Sequence, residues 1–528
     1  MNTANFKTFC EGTPLIGHHF QFEAKWLLSK GINPQIKDDT FLLAYLYDEL
    51  MPRDLGSLCL RFGVDGVFKE EHGKDVAKIT GQRLIDRNTR DARNTLLLRD
   101  VLWDKLTEPE KKVYNMVLLP AIKTLARIEL TGVHYSKTRL TDLILELKKR
   151  VLDIDIMNDP VIKKFNENSG LEFNINSHIH KGTVIFDLLG YEPLKGQRAR
   201  TSTDGDSTKA EILRLMLEKR PNETLKKLLD LSSTTGWLEV YSKFEDHCEE
   251  CEHPHVKDGR VYSSLSPVAR TTRIISAHPN ILNLPKHNGG EFTRKIFTPT
   301  TEEKGCLLEA DYSQIELRIL AGISGDEPLI EDFKAGRDPH AMMAKDAFEI
   351  KDIRDVTPEL RFKGKTLNFL LPFGGGISSI AFKTGREYGE AKIWHERYWK
   401  KHPQLKKFLT SIPETGIVKS VAGMKRYCGQ WTEGKNFQTQ NPALIVLLIA
   451  LNRIVEDAIR WEAPIVLPVH DSMVFDVHDK TKTKGLIRKI QERVNFEAGE
   501  IFPEVDIPLV VDFKIGDSWG ELIDYKGD

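Results

Sequence analysis

Ile465-Val-Leu-Pro-Val-His470-Asp471-Ser472-Met-Val-Phe-Asp-Val477 is apolar on both sides of a His-Asp pair, the pattern of a tight hairpin. A second strand-like run, Gly305-Cys-Leu-Leu-Glu-Ala-Asp311-Tyr-Ser313, closes on another aspartate. A third, Ile507-Pro-Leu-Val-Val-Asp-Phe-Lys-Ile-Gly516, lies near the C-terminus. The three runs flank a region of helical periodicity, residues 340–425. The expected core is therefore a three-stranded antiparallel sheet interrupted by a helical insertion. Upstream, residues 1–105 alternate short apolar runs with helical patterns and read as α/β. Residues 112–231 read as mostly helical, with amphipathic stretches at 140–152 and 209–231. Between these two stretches, the Gly/Ser/Thr/Arg-rich loop 195–209 is the expected mobile segment.

A chain of 528 residues should divide into two to four domains, and its 40% hydrophobic and 29% charged residues exclude disordered, collagenous and coiled-coil classes. Six cysteines are too few for a disulfide scaffold and point to a reducing compartment. The first residues carry no apolar signal core, and the longest apolar run, 443–451, is far too short to cross a bilayer. The expectation is a cytoplasmic protein with no membrane partner. With 76 Lys+Arg against 77 Asp+Glu the net charge is −1, so any cations that serve a nucleic acid must be gathered in one cleft.

Carboxylates at the ends of neighbouring strands can hold two Mg²⁺ ions, which favour hard oxygen ligands and retain waters and phosphates. Metals roughly 4 Å apart stabilise the attacking and leaving oxygens of an in-line phosphoryl displacement. An aspartate at a strand end is ordinarily a turn residue, so Asp311 and Asp471 gain meaning only from a third element. That element is Thr357-Pro-Glu-Leu-Arg361-Phe-Lys-Gly-Lys365-Thr-Leu-Asn-Phe369-Leu-Leu-Pro-Phe373-Gly374. Thr357 suits an N-cap, Pro358 the first helical turn, and Gly374–Gly376 a stop. Arg361, Lys365, Phe369 and Phe373 are each four residues apart. At about 100° per residue they form one slowly winding row, cation, cation, aromatic, aromatic. Such a row suits a nucleoside triphosphate, though a solvated cationic end with a buried aromatic end would look alike. Pro372 should kink or end the last turn.

Taken together, these motifs closely resemble the family A DNA polymerases, the DNA polymerase I group. Asp311-Tyr-Ser-Gln314-Ile-Glu316-Leu-Arg318 resembles the first palm motif, the Thr357–Gly374 helix the fingers motif, and His470-Asp471-Ser472 the second palm motif. Further matches occur in the same order. Thr272-Arg273 through Asn280, Asn283 and Pro285 is similar to a segment tracking the primer–template minor groove. Asp338-Pro-His340 is similar to a fingers segment that meets the triphosphate, and Asn436 with Gln440 to a palm helix touching the nascent pair. Residues 128–133 and 173–177 resemble the thumb. The likeness runs from about residue 115 to the C-terminus.

The resemblance implies an α+β right-hand polymerase, with an antiparallel palm sheet and helical fingers and thumb, preceded by a partial RNase H-like α/β exonuclease region. The implied division is 1–113 exonuclease-like, 114–260 thumb, 261–339 palm, 340–425 fingers and 426–528 palm. It implies template-directed addition of deoxynucleotides to a primer 3′-OH, with primer–template DNA and deoxynucleoside triphosphates as partners and a monomeric enzyme. Two Mg²⁺ ions would be held by Asp311, Asp471 and the Tyr312 carbonyl. Lys365 would neutralise or protonate the leaving pyrophosphate, making it catalytic with the two aspartates. Arg361, Lys365, Phe369, Phe373, His340, Gln314 and Glu316 would bind nucleotide, Glu316 as the steric gate against a ribose hydroxyl. Arg273, Asn280, Asn283, Asn436, Gln440 and His470 would meet DNA. Arg273 and Gln440 would do so at minor-groove acceptors that correct pairs share.

The sequence also departs from the pattern. Phe373 stands where Tyr is usual, which implies altered sugar discrimination, and Phe369, also not Tyr, implies poor use of dideoxynucleotides. Ser472 follows Asp471 where Glu is usual, and Thr432 takes the place of a template-side Arg. In residues 17–23 Glu23 falls where the second exonuclease motif has Asp. Asp91 matches the third motif, its tyrosine replaced by Arg87, and the first motif is not found. The expectation is a phage-type polymerase with a truncated, degenerate exonuclease that cannot proofread, unless a separate polypeptide supplies the missing strands. A single-subunit RNA polymerase and a catalytically inert primer–template binding protein are the alternatives. Glu316 and Phe369 oppose the first, and the intact Asp311, Asp471, Arg361 and Lys365 oppose the second. Cys248, Cys251, His253 and His255 have a spacing compatible with zinc, against the plainer reading of an acidic loop.

Overall fold

The computed structural model describes residues 3–64, 81–192, 210–245, 256–270, 272–286 and 290–527. Both the 195–209 loop and the Cys248–His255 cluster fall outside these residues. After a first helix, Thr3–Gly12, the N-terminal region holds a parallel pair, β1 (Leu15–Gly17) and β2 (Ile36–Asp39), and, further on, the 25-residue helix α1 (Gly81–Lys105). Side-chain bonds fasten this α/β region to the remainder of the chain. Gln21 donates to the Glu129 carboxylate at 2.7 Å and to the Leu265 carbonyl at 2.8 Å, and the Arg426 guanidinium grips Glu49 through both oxygens.

The next stretch is helical, as expected: α2 (Leu119–Thr131), α3 (Lys137–Ile154), α4 (Ala210–Lys219) and α5 (Glu223–Glu245). The apolar periodicity at 209–231 suggested one helix, yet there are two. Pro221 offers no backbone N–H to continue the ladder, and the Asn222 side chain accepts from Leu225 N–H at 2.9 Å to start the second helix. Ile162, Phe165, Val184, Leu225 and Leu228 belong to a hydrophobic cluster separate from the main core.

The sheet that carries the candidate site begins at β3 (Cys306–Tyr312). It is followed by α6 (Ile315–Ser324), α7 (Pro339–Ala347), α8 (Pro358–Leu370) and the 30-residue α9 (Trp431–Arg460). The remaining strands are β4 (Ile465–Val469), β5 (Ser472–Val477), β6 (Val511–Gly516) and β7 (Ile523–Asp524). Five antiparallel strands, ordered β4-β5-β3-β6-β7, replace the three expected. The run 465–477 is two strands because the chain reverses at His470-Asp471, with His470 at φ 58°. The two-residue β7 is too short and too exposed to show an alternating pattern. The run 507–516 breaks at Val510, so that only Val511–Gly516 joins this sheet. Beneath it α9 buries Leu444, Leu447, Leu448 and Leu451, which makes the central strands a rigid shelf.

Candidate active site

β3 is the middle strand, and Asp311 near its end lies opposite Ser472 on one neighbour and Asp512 on the other. Because Ser472 directly follows the hairpin turn, this register sets Asp471 beside the end of β3. Tyr312 N–H donates to the Asp471 carbonyl at 3.2 Å. The end of β3 is held from below as well. Arg318 donates to the carbonyls of Ser313 (2.7 Å) and Pro508 (2.8 Å), and the Tyr312 hydroxyl donates to Val494 O at 2.7 Å.

The electrostatics agree with this juxtaposition. The Asp311 carboxyl is pushed up to about 7, by burial first and then by the Asp471 and Glu309 carboxylates. Asp471 is also raised, chiefly by burial, while Arg273 and Lys286 pull it down. Two acids that disfavour each other's charge are a natural seat for a cation. Among the described residues no group of three or more His, Cys, Asp or Glu side chains is arranged to hold a metal. The protein donors that the structure brings together here are two carboxylates, a hard and incomplete set. That set fits Mg²⁺, which keeps waters and takes phosphate oxygens for its other positions.

Gln314, in the left-handed region at φ 52°, turns the chain into α6 and puts Glu316 in its first turn. Glu316 lies 3.5 Å from Arg273, and its carboxyl is raised mainly by burial, with Arg273 opposing and Asp471 adding to the shift. The Gln314 amide oxygen is buried without a hydrogen-bond partner. Arg273, expected at the minor groove, is ion-paired with Glu316, and its charge also acts on Asp471. Asn280 accepts from the Ser276 hydroxyl at 2.9 Å, while Asn283 and His470 are exposed and Asn436 and Gln440 are half-buried along α9.

The row on α8 forms a second group. Thr357 accepts from Leu360 N–H at 3.3 Å as the N-cap, and Arg361 and Lys365 are exposed, with the Lys365 ammonium 5.8 Å from the Phe369 ring. A cavity of about 480 Å³ opens against Lys365, Thr366 and Phe369 and reaches Leu215 and Glu218 of α4. Its size is that of a small-molecule site, though of the row only Lys365 and Phe369 line it, and neither aspartate does. Phe373 does not continue the row, because the helix ends at Leu370 ahead of Pro372 and the chain turns at Gly374, φ 95°. At that turn the backbone abuts α9. A Cβ on Gly374 would meet the Trp431 ring at 2.8 Å, so the end of α8 is pinned to the start of the helix carrying Asn436 and Gln440.

His340 also differs from expectation. It is buried behind the row, its Nδ1 3.1 Å from the Asn368 amide nitrogen and its ring 5.6 Å from that of Phe369. Burial lowers its pKa to about 4, so it is neutral at physiological pH and supports Phe369 from behind. Asp338 caps α7 through the N–H groups of His340 (2.9 Å) and Ala341 (3.3 Å) and also binds the Arg361 guanidinium. Gly364 permits this closeness, for a Cβ there would sit 2.2 Å from the His340 carbonyl.

In the N-terminal region Asp39 is a helix N-cap. Asp39 accepts from Phe20 N–H (2.6 Å), Phe41 N–H (2.8 Å) and Leu42 N–H (3.1 Å). Asp91 lies 3.8 Å from Arg87, and Glu23 lines an open cavity with His18, His19 and Arg53. The residues near the aspartate pair that sequence reasoning passed over are Glu309, Lys286 and Lys514. Glu309 and Lys514 reveal themselves only through register. Lys286 directly follows Pro285 of the minor-groove segment and could have been read from that adjacency.

Residues 146–521 match the model of the family described as DNA polymerase family A. DNA polymerase I of Borreliella burgdorferi is 26% identical over 98% of this chain and 57% of its own length, and the thermostable DNA polymerase I of Thermus filiformis is 28% identical over 94% and 56%. The chain spans about half the length of the curated relatives it matches. A solved structure, the POL domain of Pol1 from M. smegmatis in complex with DNA primer–template and dNTP, is similar with a TM-score of 0.78 at 25% identity. That match covers 98% of this chain and 88% of the other.

Proposed function

The chain belongs to DNA polymerase family A, and from that premise we propose that it extends a primer 3′-OH with deoxynucleotides on a DNA template and does not proofread. The observation that carries the reading is the meeting of Asp311 and Asp471 at the ends of adjacent strands, each carboxyl raised above its ordinary range. The α+β fold is that of its family. Within it we assign the palm to 261–339 and 426–528, the fingers to 340–425 and the thumb to 114–260.

Asp311, Asp471 and the Tyr312 carbonyl would hold two Mg²⁺ ions, which when bound supply Lewis acidity to the attacking and leaving oxygens. The chain's own groups do the rest. Arg361 and Lys365 bind phosphate oxygens, and Arg361 must exchange Asp338 for them. Phe369, braced by neutral His340, lies against the sugar and base. Phe373, beyond the helix end, joins them from the turn, and Gln314 turns the chain so that Glu316 closes the space beside the sugar's 2′ carbon. Arg273, Asn280, Asn283, Asn436, Gln440 and His470 line the path of the nascent duplex. Glu316 in the gate position favours deoxynucleotides over the ribonucleotides of an RNA polymerase.

The loss of proofreading is supported by Asp91 facing Arg87 and by Asp39 serving as a helix cap. The four cysteines among the described residues are free and buried, which suits the reducing cytoplasm. Among the described residues no helix is long and apolar enough to cross a membrane. We take the working unit to be a monomer.

Primer extension by the purified chain with Mg²⁺, on matched and on mismatched 3′ ends, tests both halves of this proposal. Extension of the matched end without excision of the mismatched one is expected. No extension would refute the polymerase, and removal of the mismatched nucleotide would refute the absence of proofreading.

A further inference from the structure

We propose that Glu309 is a third carboxylate of the metal centre, acting on the bound ions from behind Asp311 and Asp471 without being a ligand. The inference rests on the reading of those two aspartates as the metal-holding pair. Glu309 precedes Asp311 by two residues on β3, so both side chains leave the same face of the sheet. The register puts Glu309 opposite Val474 and Lys514, one step further into the sheet than Asp311. It is only 3% exposed.

Its contacts aim at the site. Glu309 Oε1 accepts from the Ser472 hydroxyl at 3.1 Å, and Ser472 is the residue directly after Asp471. That hydroxyl has one proton and two acceptors in reach, Glu309 and the Val469 carbonyl at 3.0 Å. An ionised carboxylate is the stronger of the two acceptors. The resulting bond crosses from β3 to β5 just below the turn and steadies the peptide that presents Asp471. The carboxylate of Glu309 thereby occupies the neighbourhood of position 472, where this chain has no acid of its own.

Two cations face Glu309: Arg294, within electrostatic reach, and Lys514, in ion-pair range. The Lys514 ammonium lies 3.8 Å from Glu309 and 4.0 Å from Asp311, too long for a hydrogen bond and shared between two acids. Glu309 thus places a further carboxyl group at the back of the aspartate pair, its counter-charge Lys514 shared with Asp311. If it belongs to the centre, removing the charge must weaken metal binding, as loss of an outer carboxylate typically does.

The test is direct titration of the full chain with Mn²⁺, free ion being followed by electron paramagnetic resonance. Glu309→Gln keeps the acceptor for Ser472 and the side-chain volume while deleting the charge. Its Mn²⁺ affinity is expected to fall about 10-fold, with the metal-free thermal midpoint no lower than wild type. The exchange Glu309→Ser with Ser472→Glu returns a carboxylate to the same neighbourhood from the other strand, and should recover most of the lost affinity. Unchanged Mn²⁺ affinity in Glu309→Gln, or no recovery in a folded exchange variant, would overturn the proposal. Asp471→Asn is the reference. If it too binds Mn²⁺ like wild type, the reading of the aspartate pair has failed. If it loses binding while Glu309→Gln does not, only the role of Glu309 has.

Discussion

Asp471→Asn should reduce the rate of primer extension by at least about 1,000-fold while leaving the protein folded and able to bind primer–template. Asparagine matches the shape of aspartate and tolerates the turn, and the backbone carbonyl that accepts from Tyr312 N–H is retained. What disappears is one of the two charges that would hold the metals. Metal stabilisation of the transition state amounts to several kcal/mol, and each ~1.4 kcal/mol is tenfold in rate. The variant should be at least as stable as wild type without metal. The folded-state pKa of Asp311 is raised to about 7 by burial and by Asp471. An acid raised in the folded state costs stability as pH climbs from its unfolded value toward 7, and removing its neighbour's charge lessens that cost. Single-turnover extension, DNA binding and thermal unfolding on one preparation check all three parts. An active Asp471→Asn would contradict the reading.

Lys365→Ala should lower kcat by about 10²–10⁴-fold, the usual worth of a positioned proton donor. Lys365→Arg, which preserves charge but yields a proton poorly, should recover only part of it. Among the described residues no carboxylate lies within ion-pair distance of Lys365, whereas Arg361 is bound to Asp338. The two cations should therefore separate kinetically. Arg361→Ala should act more on the KM for the deoxynucleotide, because Arg361 contributes binding and already has a competing partner. Lys365→Ala should act more on kcat. Steady-state kinetics over a range of nucleotide concentrations decides, and a Lys365→Ala effect confined to KM would remove Lys365 from the chemistry.

Much of this site was legible in the sequence because its signals are local. Thr357 and Pro358 announce a helix start, Pro372 its end, and the apolar flanks of His470-Asp471 a hairpin, and each behaves so in the structure. Local patterns could not show which strand lies beside which. The placement of Asp311 against Ser472 and of Glu309 against Lys514 depends on register, which is set by the whole sheet. The reading of Phe373 as part of the row failed because the four-residue spacing was carried past the proline that stops the helix. His340 was read as meeting the triphosphate because Asp338-Pro-His340 resembles a fingers segment that does so. It is buried because Gly364 lets α8 approach α7 closely enough to cover it. β7, two residues long, had no periodicity to read.

Anomalous diffraction from crystals of the full chain with primer–template, a non-hydrolysable deoxynucleoside triphosphate and Mn²⁺ would test the central claim most directly. Two manganese peaks between Asp311 and Asp471, with the triphosphate spanning from them to Arg361 and Lys365, are the predicted result. Manganese bound elsewhere, or a triphosphate that leaves the α8 cations untouched, would contradict it.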